Sequence, residues 1–293
     1  MPSILYIDRS AIAALRAPRE LAGSFLGLYV EGSLEALAAP TVAIVGTRAA
    51  TLAGCRHAHR IAADLSAAGV CVVSGLALGI DGAAHQGSLS VNAPTVAVLG
   101  GGHDHFFPKR HRDLARAMIA GGGAVASPYP AHWPARPGQF LARNAIVAAL
   151  SDAVVVIEAG ARSGALNTAS WAADLNVPVF ALPGDVDRPK SAGCLALIRD
   201  GATLVRDAGD ILEALGVPCA AHANASREGP SFPALQAAIV RMLGEGEASI
   251  ESIAQRCRLP ASETIAALTM LELQGAIEPR GAATYALRRG SPG

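Results

Sequence analysis

The sequence predicts a doubly wound α/β domain with a mostly parallel sheet, followed by a small winged-helix-like domain. At 293 residues, the chain has room for one α/β core plus an appendage. From residue 41, short apolar runs alternate with Gly-rich turns and with segments of helical spacing. Near Leu215 this alternation stops and a different pattern begins. Two units of different architecture are therefore expected.

Seven short apolar or β-branched runs predict the strands of the first unit. They cover residues 41–45, 70–73, 95–99, 124–126, 153–157, 178–181 and 203–205. Segments between them, such as 53–68 and 166–175, show helical spacing. Continuously apolar strands are typical of a sheet covered on both faces, and strands that alternate with helices imply parallel crossovers. We place this domain at 41–215.

The flanking segments are assigned from their own patterns. Residues 1–40 are predicted to be an N-terminal extension packed on the core, with a helix at 11–21. Residues 216–231, rich in small residues, Pro and Gly, are predicted to be a linker. Residues 232–290 hold three amphipathic segments, at 232–243, 249–257 and 261–275, and then a hairpin pattern. Three helices and a hairpin predict a winged helix.

Composition limits the classes of function. Lys plus Arg and Asp plus Glu both number 24, which argues against a globally basic nucleic-acid binder, so any such site is expected to be local. The five cysteines form no C-x-x-C, so neither a disulfide framework nor a zinc ribbon is expected. The sequence shows no secretory signal and no apolar run long enough to span a membrane. We therefore expect a cytoplasmic protein.

Glycine-rich turns follow three of the predicted strands. Gly46, Thr47 and Arg48 follow the first, residues 74–82 the second, and residues 100–102 the third. Ligands of open parallel sheets bind at this edge, so the turns are interpreted as places where an anion approaches the backbone. Neither G-x-G-x-x-G nor G-x-x-x-x-G-K-[ST] is present, so no nucleotide cofactor is expected. The alternative, glycines required for packing alone, stays open.

Residues 101–150 combine cations with aromatic rings. The cations are Lys109, Arg110, Arg112, Arg116, Arg136 and Arg143, and the rings are Phe106, Phe107, Tyr129, Trp133 and Phe140. Single-stranded nucleic acid needs both, because its backbone attracts cations and its bases stack on flat faces. A solvated helix face remains the alternative for 109–116. A solvated helix face does not easily explain Arg143 and Asn144, because these two residues interrupt an apolar helical segment.

No catalytic constellation is predicted. Asp81 is interpreted as a helix N-cap rather than as a partner of His85. The four residues His103, Asp104, His105 and His111 are interpreted as solvated and not as a metal site. Glu158 ends the 153–157 strand, where it is expected to accept hydrogen bonds from the turn at 162–164 or to act as a general base. The next helix opens with Ser163, Gly164, Asn167 and Thr168, which are predicted to cap it or to hold a phosphate.

Several motifs together resemble the DNA-processing protein A (DprA/Smf) family. They are VAIVGTR at 42–48, VVSGLALGIDGAAH at 72–85, TVAVLGGG at 95–102, FLARNAIVAALSDAVVVIEAGARSGALNTA at 140–169, VFALPGDV at 179–186 and LIRDGATLV at 197–205. The resemblance covers about residues 25–215, and the segment 232–287 looks like the C-terminal winged helix of that family. It implies a Rossmann-like fold and a homodimer. It also implies a non-enzymatic role in natural transformation, in which the protein protects incoming single-stranded DNA and loads the RecA recombinase.

The same resemblance assigns a DNA-binding pocket residue by residue. The V-G-S/T-R motif falls on Gly46, Thr47 and Arg48, and F-x-x-R-N falls on Phe140, Arg143 and Asn144. A basic residue upstream falls at Arg136, and the S-G-x-x-x-T-A turn supplies Ser163, Gly164 and Thr168. The chain departs from the family at Leu78 and Ala145, where arginines are usual, and at Leu195, where Asn is usual. Arg136, Lys109 or a partner subunit is expected to compensate for the two missing cations.

Two rival functions are considered. A nucleoside monophosphate-cleaving enzyme of the LOG/lysine-decarboxylase-like group would use Glu158 as its catalytic acid, but 183–194 lacks the P-G-G-x-G-T-x-x-E motif of that group. A transcription regulator would use the winged helix, but 259–279 contains no Lys or Arg before Arg280 and carries Glu263, Glu272 and Glu278. Such a helix would repel duplex DNA, although binding of double-stranded DNA elsewhere is left open.

Overall fold

The computed structural model describes residues 4–15, 26–218, 232–244, 246–257, 261–281 and 283–288. The chain divides into two units, Met1–Ala220 and Ala221–Gly293. The predicted linker at 216–231 lies mostly outside the described residues. Among the described helices, none combines the length and the apolar character needed to cross a bilayer.

One mixed sheet organises the first unit. Its described strands are β1 (Leu5–Asp8), β2 (Gly27–Gly32), β3 (Thr41–Val45), β4 (Cys71–Ser74), β5 (Thr95–Val98), β6 (Ala124–Ser127), β7 (Ala153–Val156), β8 (Val179–Ala181) and β9 (Thr203–Leu204). They lie in the order β1-β2-β6-β5-β4-β3-β7-β8-β9. From β6 to β9 all neighbours pair in parallel, whereas β1 with β2 and β2 with β6 pair antiparallel.

Helices cover both faces of this sheet, as the apolar strands predict. The described helices are α1 (Arg9–Leu15), α2 (Leu52–Ala67), α3 (Ile80–Ser90), α4 (Arg112–Ala120), α5 (Pro137–Ala149), α6 (Gly164–Asp174), α7 (Ala192–Arg199) and α8 (Ala208–Ala214). Strand β3 shows the two layers. Its Ala43 and Val45 pack in one buried cluster with α5 and α6, and its Val42 and Ile44 pack in the other with α2, α3 and α8.

The predicted α/β class is confirmed, and each of the seven predicted strands is present with ends that differ by at most one residue. The first forty residues differ from expectation. The helix predicted at 11–21 begins earlier, at Arg9, and its described part ends at Leu15, while residues 16–25 lie outside the described part of the chain. Strands β1 and β2 were not predicted. Strand β2 joins the sheet because Leu28 and Val30 alternate toward the core, where both are buried.

The second unit contains the predicted helices α9 (Phe232–Gly244), α10 (Ile250–Cys257) and α11 (Ala261–Leu273). The predicted hairpin is also present, as β11 (Ile277–Pro279) and β12 (Thr284–Leu287). A two-residue strand that the sequence did not predict, β10 (Ala248–Ser249), pairs with β12. The buried core of the second unit includes Ile239, Leu243, Ile253, Leu268 and Ile277. These elements make a winged helix.

Candidate functional site

The sheet has a topological switch point at β3, because β4 lies on one side of it and β7, much later in the chain, lies on the other. Ligands of open α/β sheets bind outside the carboxyl ends of the strands at such a point. A cavity of about 240 Å³ occupies this position. We call it the switch-point cavity. It is lined by Val45, Gly46, Thr47, Arg48, Gly75, Ala77, Asp81, Phe140, Leu141, Arg143, Asn144, Val147, Ser163, Gly164, Ala165 and Thr168.

Most of the residues assigned from the sequence meet in this cavity. The loop after β3 contributes Gly46, Thr47 and Arg48, and α5 contributes Phe140, Arg143 and Asn144. Ser163, Gly164 and Thr168 enter from the start of α6. The first group lies more than 90 positions before the other two in the sequence, and the sheet order brings all three together. Neither Leu78 nor Ala145 lines the cavity.

Arg48 lies at the exposed mouth of the cavity. Its guanidinium carbon is 5.0 Å from the centre of the Phe140 ring, a cation–π distance. It forms no ion pair with any described residue. The guanidinium of Arg48 is therefore held over an aromatic ring, and no carboxylate of the described residues neutralises its charge.

Arg143 is buried at the base of the cavity, with 4% of its surface exposed. Its Nη1 donates to the carbonyl oxygen of Gly75 at 2.6 Å and to that of Val98. A Cβ atom on residue 75 would lie 2.0 Å from Nη1, so only glycine leaves room for the guanidinium. Burial lowers the pKa of Arg143 to about 10, which still leaves the group charged at neutral pH.

Asp81 supplies the counter-charge to Arg143. It is also buried, and its Oδ2 accepts the backbone N–H groups of Gly75 at 3.1 Å and Ala77 at 3.4 Å. Burial raises its pKa, and the charge of Arg143 together with these N–H groups opposes that rise. The predicted N-cap role is wrong. Gly79, at a φ of 78°, is the N-cap residue. Asp81 therefore lies in the first turn of α3, where it accepts hydrogen bonds from N–H groups of the preceding loop.

Two histidines lie around this pair of charges. His85 Nδ1 is 2.8 Å from Thr95 Oγ1, and the Thr95 hydroxyl donates to the Val72 carbonyl at 2.6 Å. Thr95 therefore accepts from His85, which places the proton on Nδ1 and leaves Nε2 buried without a partner in the described structure. Burial and nearby positive charge lower the pKa of His85 to about 3. His111 Nδ1 lies 2.9 Å from the Leu76 carbonyl oxygen.

The predicted solvated cluster in the loop after β5 needs correction. His103 is buried, with Nε2 3.1 Å from the Val125 carbonyl oxygen, because the loop folds back onto β6. Asp104 and His105 are exposed as expected. Among the described residues, no group of His, Cys, Asp and Glu side chains is arranged to hold a metal ion.

The first turn of α6 combines a cap with a bridge to α5. Ser163 is the N-cap and accepts the Ala165 N–H at 3.3 Å. Asn144 Nδ2 donates to the Gly164 carbonyl at 3.2 Å and to Asn167 Oδ1 at 3.3 Å. Asn167 holds Asn144 but does not line the cavity. The N-terminus of an eleven-residue helix thus faces the cavity, where its free N–H groups favour an anion.

Glu158 has a partner that the sequence did not predict. Its Oε2 accepts the Thr51 N–H at 2.8 Å and its Oε1 accepts the Thr51 hydroxyl at 2.7 Å. The expected bonds from the 162–164 turn are not the ones it makes. Thr51 is the N-cap of α2, so this carboxylate joins the end of β7 to the turn before α2. Two residues 107 positions apart gave no local sequence signal.

Two of the predicted site residues lie elsewhere. Arg136 is exposed at the N-cap of α5, where its backbone N–H donates to Gln139 Oε1 at 2.5 Å. Lys109 lines a separate groove beside Phe107. The third glycine turn, at 100–102, is buried and therefore closed to an anion, and a Cβ on Gly100 would lie 2.6 Å from the Phe140 ring. Packing of the chain's own groups explains the glycines at 75 and at 100.

A doubly wound α/β unit with a cation-bearing cavity at its switch point, together with a winged-helix unit, defines a Rossmann-like protein with an appended winged helix. The family model for DNA recombination-mediator protein A matches residues 16–216, and the model for the DprA winged helix domain matches residues 218–282. The chain belongs to the DNA-processing protein A (DprA/Smf) family.

Similar proteins agree with this assignment. The chain is 41% identical to a putative DNA processing protein DprA of Mycobacterium tuberculosis, over 88% of this chain and 67% of that protein. It is 36% identical to protein Smf of Escherichia coli, over 89% and 72% of the two chains.

Two solved structures share the fold. That of DNA processing protein A from Streptococcus pneumoniae aligns with a TM-score of 0.60 and 38% identity, over 64% of this chain and 66% of that one, slightly less than two thirds. The protein from Helicobacter pylori, described for its single-stranded DNA binding mode, aligns with a TM-score of 0.61 and 31% identity, over 67% and 89%.

Proposed function

We propose that this protein binds single-stranded DNA in the switch-point cavity, protects it and loads the RecA recombinase onto it during natural transformation. The observation that carries the proposal is the convergence of Arg48, Arg143 and the N-terminus of α6 on one cavity. Arg48 and the free N–H groups at the start of α6 favour a phosphate directly, whereas the charge of Arg143 is opposed by the carboxylate of Asp81 and this arginine holds the base of the cavity in place. The single-stranded DNA binding of the Helicobacter pylori relative supports the same assignment.

The shape of the site favours a single strand over a duplex. A cavity of about 240 Å³ requires the backbone to turn its phosphate inward. Single strands bend easily, whereas duplex DNA has a persistence length of about 150 base pairs and presents its phosphates on a stiff cylinder. We therefore expect a clear preference for single strands, with a salt dependence set by the number of phosphates contacted.

A substitution at Gly164 tests the cavity directly. Gly164 lines the cavity, and a Cβ atom there meets open space, so a longer side chain can be added without a clash. Gly164→Glu places a carboxylate where the phosphate is expected, and a negative charge in the first turn of α6 also suits the helix dipole. We expect weaker binding of a fluorescent oligonucleotide with unchanged or higher stability.

Gly164→Gln is the matched control, because it has the same size and no charge. Binding is measured over a range of salt concentrations with single-stranded and double-stranded oligonucleotides. Equal affinity of the Glu and Gln variants for single strands, in folded proteins, would show that no phosphate occupies the cavity.

The transfer to RecA needs its own measurement. We expect the protein to shield single strands from nuclease and to shorten the delay before RecA filaments form on strands covered by single-strand-binding protein. The Gly164→Glu variant is expected to lose both effects together. Retention of the RecA effect by a variant that no longer binds DNA would separate the two activities and contradict the proposed sequence of events.

We also propose a homodimer. The family resemblance implies it, and the Ala-rich helices α6 and α7 carry partly exposed apolar residues such as Trp171 and Leu195 that a second copy can cover. Light scattering is expected to give twice the 29.7 kDa mass of the chain. A monomer at micromolar concentration would remove this part of the proposal.

A further inference from the structure

The outer face of α2 carries a line of cations that the function proposed above does not use. Leu52, Arg56 and Arg60 follow one another at intervals of four residues, so they lie on one face of the helix, with His59 beside them. All four are exposed, Leu52 to 81%. The opposite face of the helix is packed in the core. We call Leu52, Arg56, His59 and Arg60 the basic stripe.

The stability of α2 does not explain these cations. Arg56 and Arg60 are like charges one turn apart, an arrangement that weakens a helix. Both lie in the N-terminal half of α2, whereas Asp64 lies in the last turn. This order is the reverse of the one that the helix dipole favours. The helix is therefore expected to be at least as stable without the two charges.

The two arginines of the stripe are not neutralised within the described structure. Neither Arg56 nor Arg60 forms an ion pair with any described residue. Arg60 Nη2 donates to the backbone carbonyl of Arg206 at 3.4 Å, which leaves the charge of Arg60 unopposed. Two carboxylates near this helix are already bound: Asp210 of α8 accepts from the guanidinium of Arg206, and Glu158 accepts from the turn before α2. The stripe therefore presents an uncompensated positive charge at the surface.

The basic stripe is separate from the two surfaces to which a function is assigned above. None of the residues that line the switch-point cavity belongs to α2. Helix α2 packs with α8 in the buried cluster on one face of the sheet, whereas α6 and α7, the helices of the proposed homodimer, pack in the cluster on the other face. The stripe therefore stays exposed when the cavity is filled and when a second copy covers α6 and α7.

The chemistry of the stripe fits an acidic peptide better than a nucleic acid. A nucleic acid needs several cations along its backbone, and a single strand also needs aromatic rings for its bases. The stripe offers two arginines and an aliphatic side chain, Leu52, and α2 contains no Phe, Tyr or Trp. Successive members of the line 52, 56 and 60 are about 6 Å apart along the helix axis. Alternate side chains of an extended peptide repeat at nearly the same distance, about 6.6 Å.

We propose that the basic stripe is a docking site for an acidic segment of another protein. Two carboxylates that alternate along an extended segment bind Arg56 and Arg60, and an apolar side chain two positions further along packs on Leu52. Exposed ion pairs are individually weak and are screened by salt, so this contact forms and releases readily. The proposal goes beyond DNA binding, because it lets the protein recruit a partner while the cavity stays free.

The probe is a short peptide in which two aspartates and one leucine alternate with serines, and its control peptide has asparagine in place of aspartate. Nuclear magnetic resonance of the isotope-labelled full chain detects weak binding at millimolar peptide. We expect the amide resonances of residues 52–60 to shift in a saturable, salt-sensitive way with the aspartate peptide and not with the asparagine peptide. Arg56→Gln combined with Arg60→Gln is expected to weaken binding by about tenfold, as the loss of two exposed ion pairs implies.

Arg110→Gln combined with Arg116→Gln is the matched control, because it removes two exposed arginines from the turn before α4 and from α4 itself. This variant is expected to bind the aspartate peptide as the wild type does. Leu52→Gln tests the apolar end of the stripe. It is expected to abolish the preference for the leucine-containing peptide over one that has serine at that position.

The outcomes separate this proposal from the proposed function. If the resonances of 52–60 do not move, or move equally with the asparagine peptide, the docking site is wrong, whatever the cavity binds. An equal loss of peptide binding in the matched control would contradict it too. If Gly164→Glu binds single strands like Gly164→Gln, the proposed function fails and the docking site stands.

Two further measurements on the Arg56→Gln, Arg60→Gln variant check the argument. It is expected to bind single-stranded and duplex oligonucleotides as the wild type does, and weaker binding would assign the stripe to a nucleic acid and overturn the proposal. Urea unfolding is expected to show a stability no lower than that of the wild type. A clear loss of stability would mean that the two arginines serve the fold, which also contradicts the proposal.

Discussion

The floor and the rim of the switch-point cavity each carry an arginine, and their surroundings are opposite. On the floor, Arg143 is buried beside Asp81, and its Nη1 donates to two backbone carbonyls. On the rim, Arg48 is exposed, rests on the Phe140 ring and has no ion-pair partner in the described structure. The same residue type therefore serves two purposes. Arg143 holds the loops after β4 and β5 in place, whereas the donors of Arg48 face solvent.

The difference follows from the cost of desolvation. A charge removed from water is tolerated when hydrogen bonds and an opposite charge replace its hydration, and the floor supplies both. On the rim, Arg48 is exposed and solvated by water, so it needs no such hydrogen bonds and no opposite charge. We therefore expect substitutions on the floor to change stability and substitutions on the rim to change binding. The four predictions below test that division, from the largest expected effect on stability to the smallest.

Arg143→Ala is expected to have the largest effect. It leaves Asp81 buried without its counter-charge and removes the donor that bonds the Gly75 and Val98 carbonyls. Loss of one partner from a buried pair costs about 3–5 kcal/mol. Urea unfolding monitored by circular dichroism measures this loss. The double variant Arg143→Met with Asp81→Asn is the control: it leaves no unpaired charge, keeps an acceptor for the Gly75 N–H, and is expected to recover part of the stability. A change below about 1 kcal/mol in Arg143→Ala would contradict the structural role of this residue.

Glu158→Gln is expected to lower the free energy of unfolding by about 1–3 kcal/mol, because the N–H and the hydroxyl of Thr51 donate to different oxygens and the amide replaces one of these oxygens with an NH2 donor. DNA binding is expected to weaken only indirectly. The same variant separates a binding protein from a nucleoside monophosphate hydrolase. As a catalytic acid, Glu158 would be indispensable to turnover, since proton transfer contributes about 10²–10⁴-fold. Hydrolysis by the wild type that this substitution abolishes, with the melting temperature unchanged, would favour the enzyme.

His85, which is buried near Arg143, predicts that the free energy of unfolding depends on pH. Its pKa is lowered from 6.5 to about 3 in the folded protein, so the unfolded chain takes up the proton first as the pH falls. Stability conferred by neutral His85 is therefore present above pH 6.5 and is lost between pH 6.5 and 3, by up to about 1.4 kcal/mol per pH unit. Asp81 acts in the opposite sense, because its pKa is raised and its folded form takes up a proton first.

The difference between wild type and His85→Gln isolates the histidine, because Asp81 is common to both proteins. Urea unfolding at pH 7, 6, 5 and 4, values chosen to bracket the pKa of about 6.5 of a free histidine, is expected to show a shallower loss of stability in the variant. Parallel curves for the two proteins would mean that His85 takes up its proton equally well in the folded state.

The sequence predicts the rim better than the floor. Arg48, Ser163 and Gly164 follow strands that apolar runs identify, and strand ends in a parallel sheet meet at one edge, so their convergence could be deduced. The partners of buried groups could not. Asp81 lies where a helix cap is expected, yet it accepts N–H groups of the loop before Gly79, and Glu158 bonds Thr51 across 107 positions. Such pairings depend on the direction of each side chain and on the path of each loop. Neither can be deduced from the periodicity of apolar residues or from the spacing of a motif.

The N-terminal strands show the same limit for the fold. Seven apolar runs predicted β3 to β9, because strands buried on both faces have few polar residues. Strand β1 is mostly exposed and only four residues long, and β2 contains Gly, Tyr and Glu among its six residues. Both pair antiparallel, β1 at the edge of the sheet and β2 between β1 and β6. Strands of this kind are defined by the neighbours they pair with.

Arg48→Ala is the sharpest test of the division between floor and rim. Because Arg48 is exposed and has no carboxylate partner in the described residues, its loss is expected to change the free energy of unfolding by no more than about 0.5 kcal/mol. Binding of single strands of any sequence is nevertheless expected to weaken, and the salt slope to flatten by about 0.7, as for one lost phosphate contact. Arg56→Ala removes another exposed arginine, on α2 outside the switch-point cavity, and is expected to leave the affinity unchanged. If Arg48→Ala instead destabilises the protein as Arg143→Ala does, with no change in the salt slope, then the rim arginine is also structural and the cavity must bind its phosphate through Arg143 and the first turn of α6.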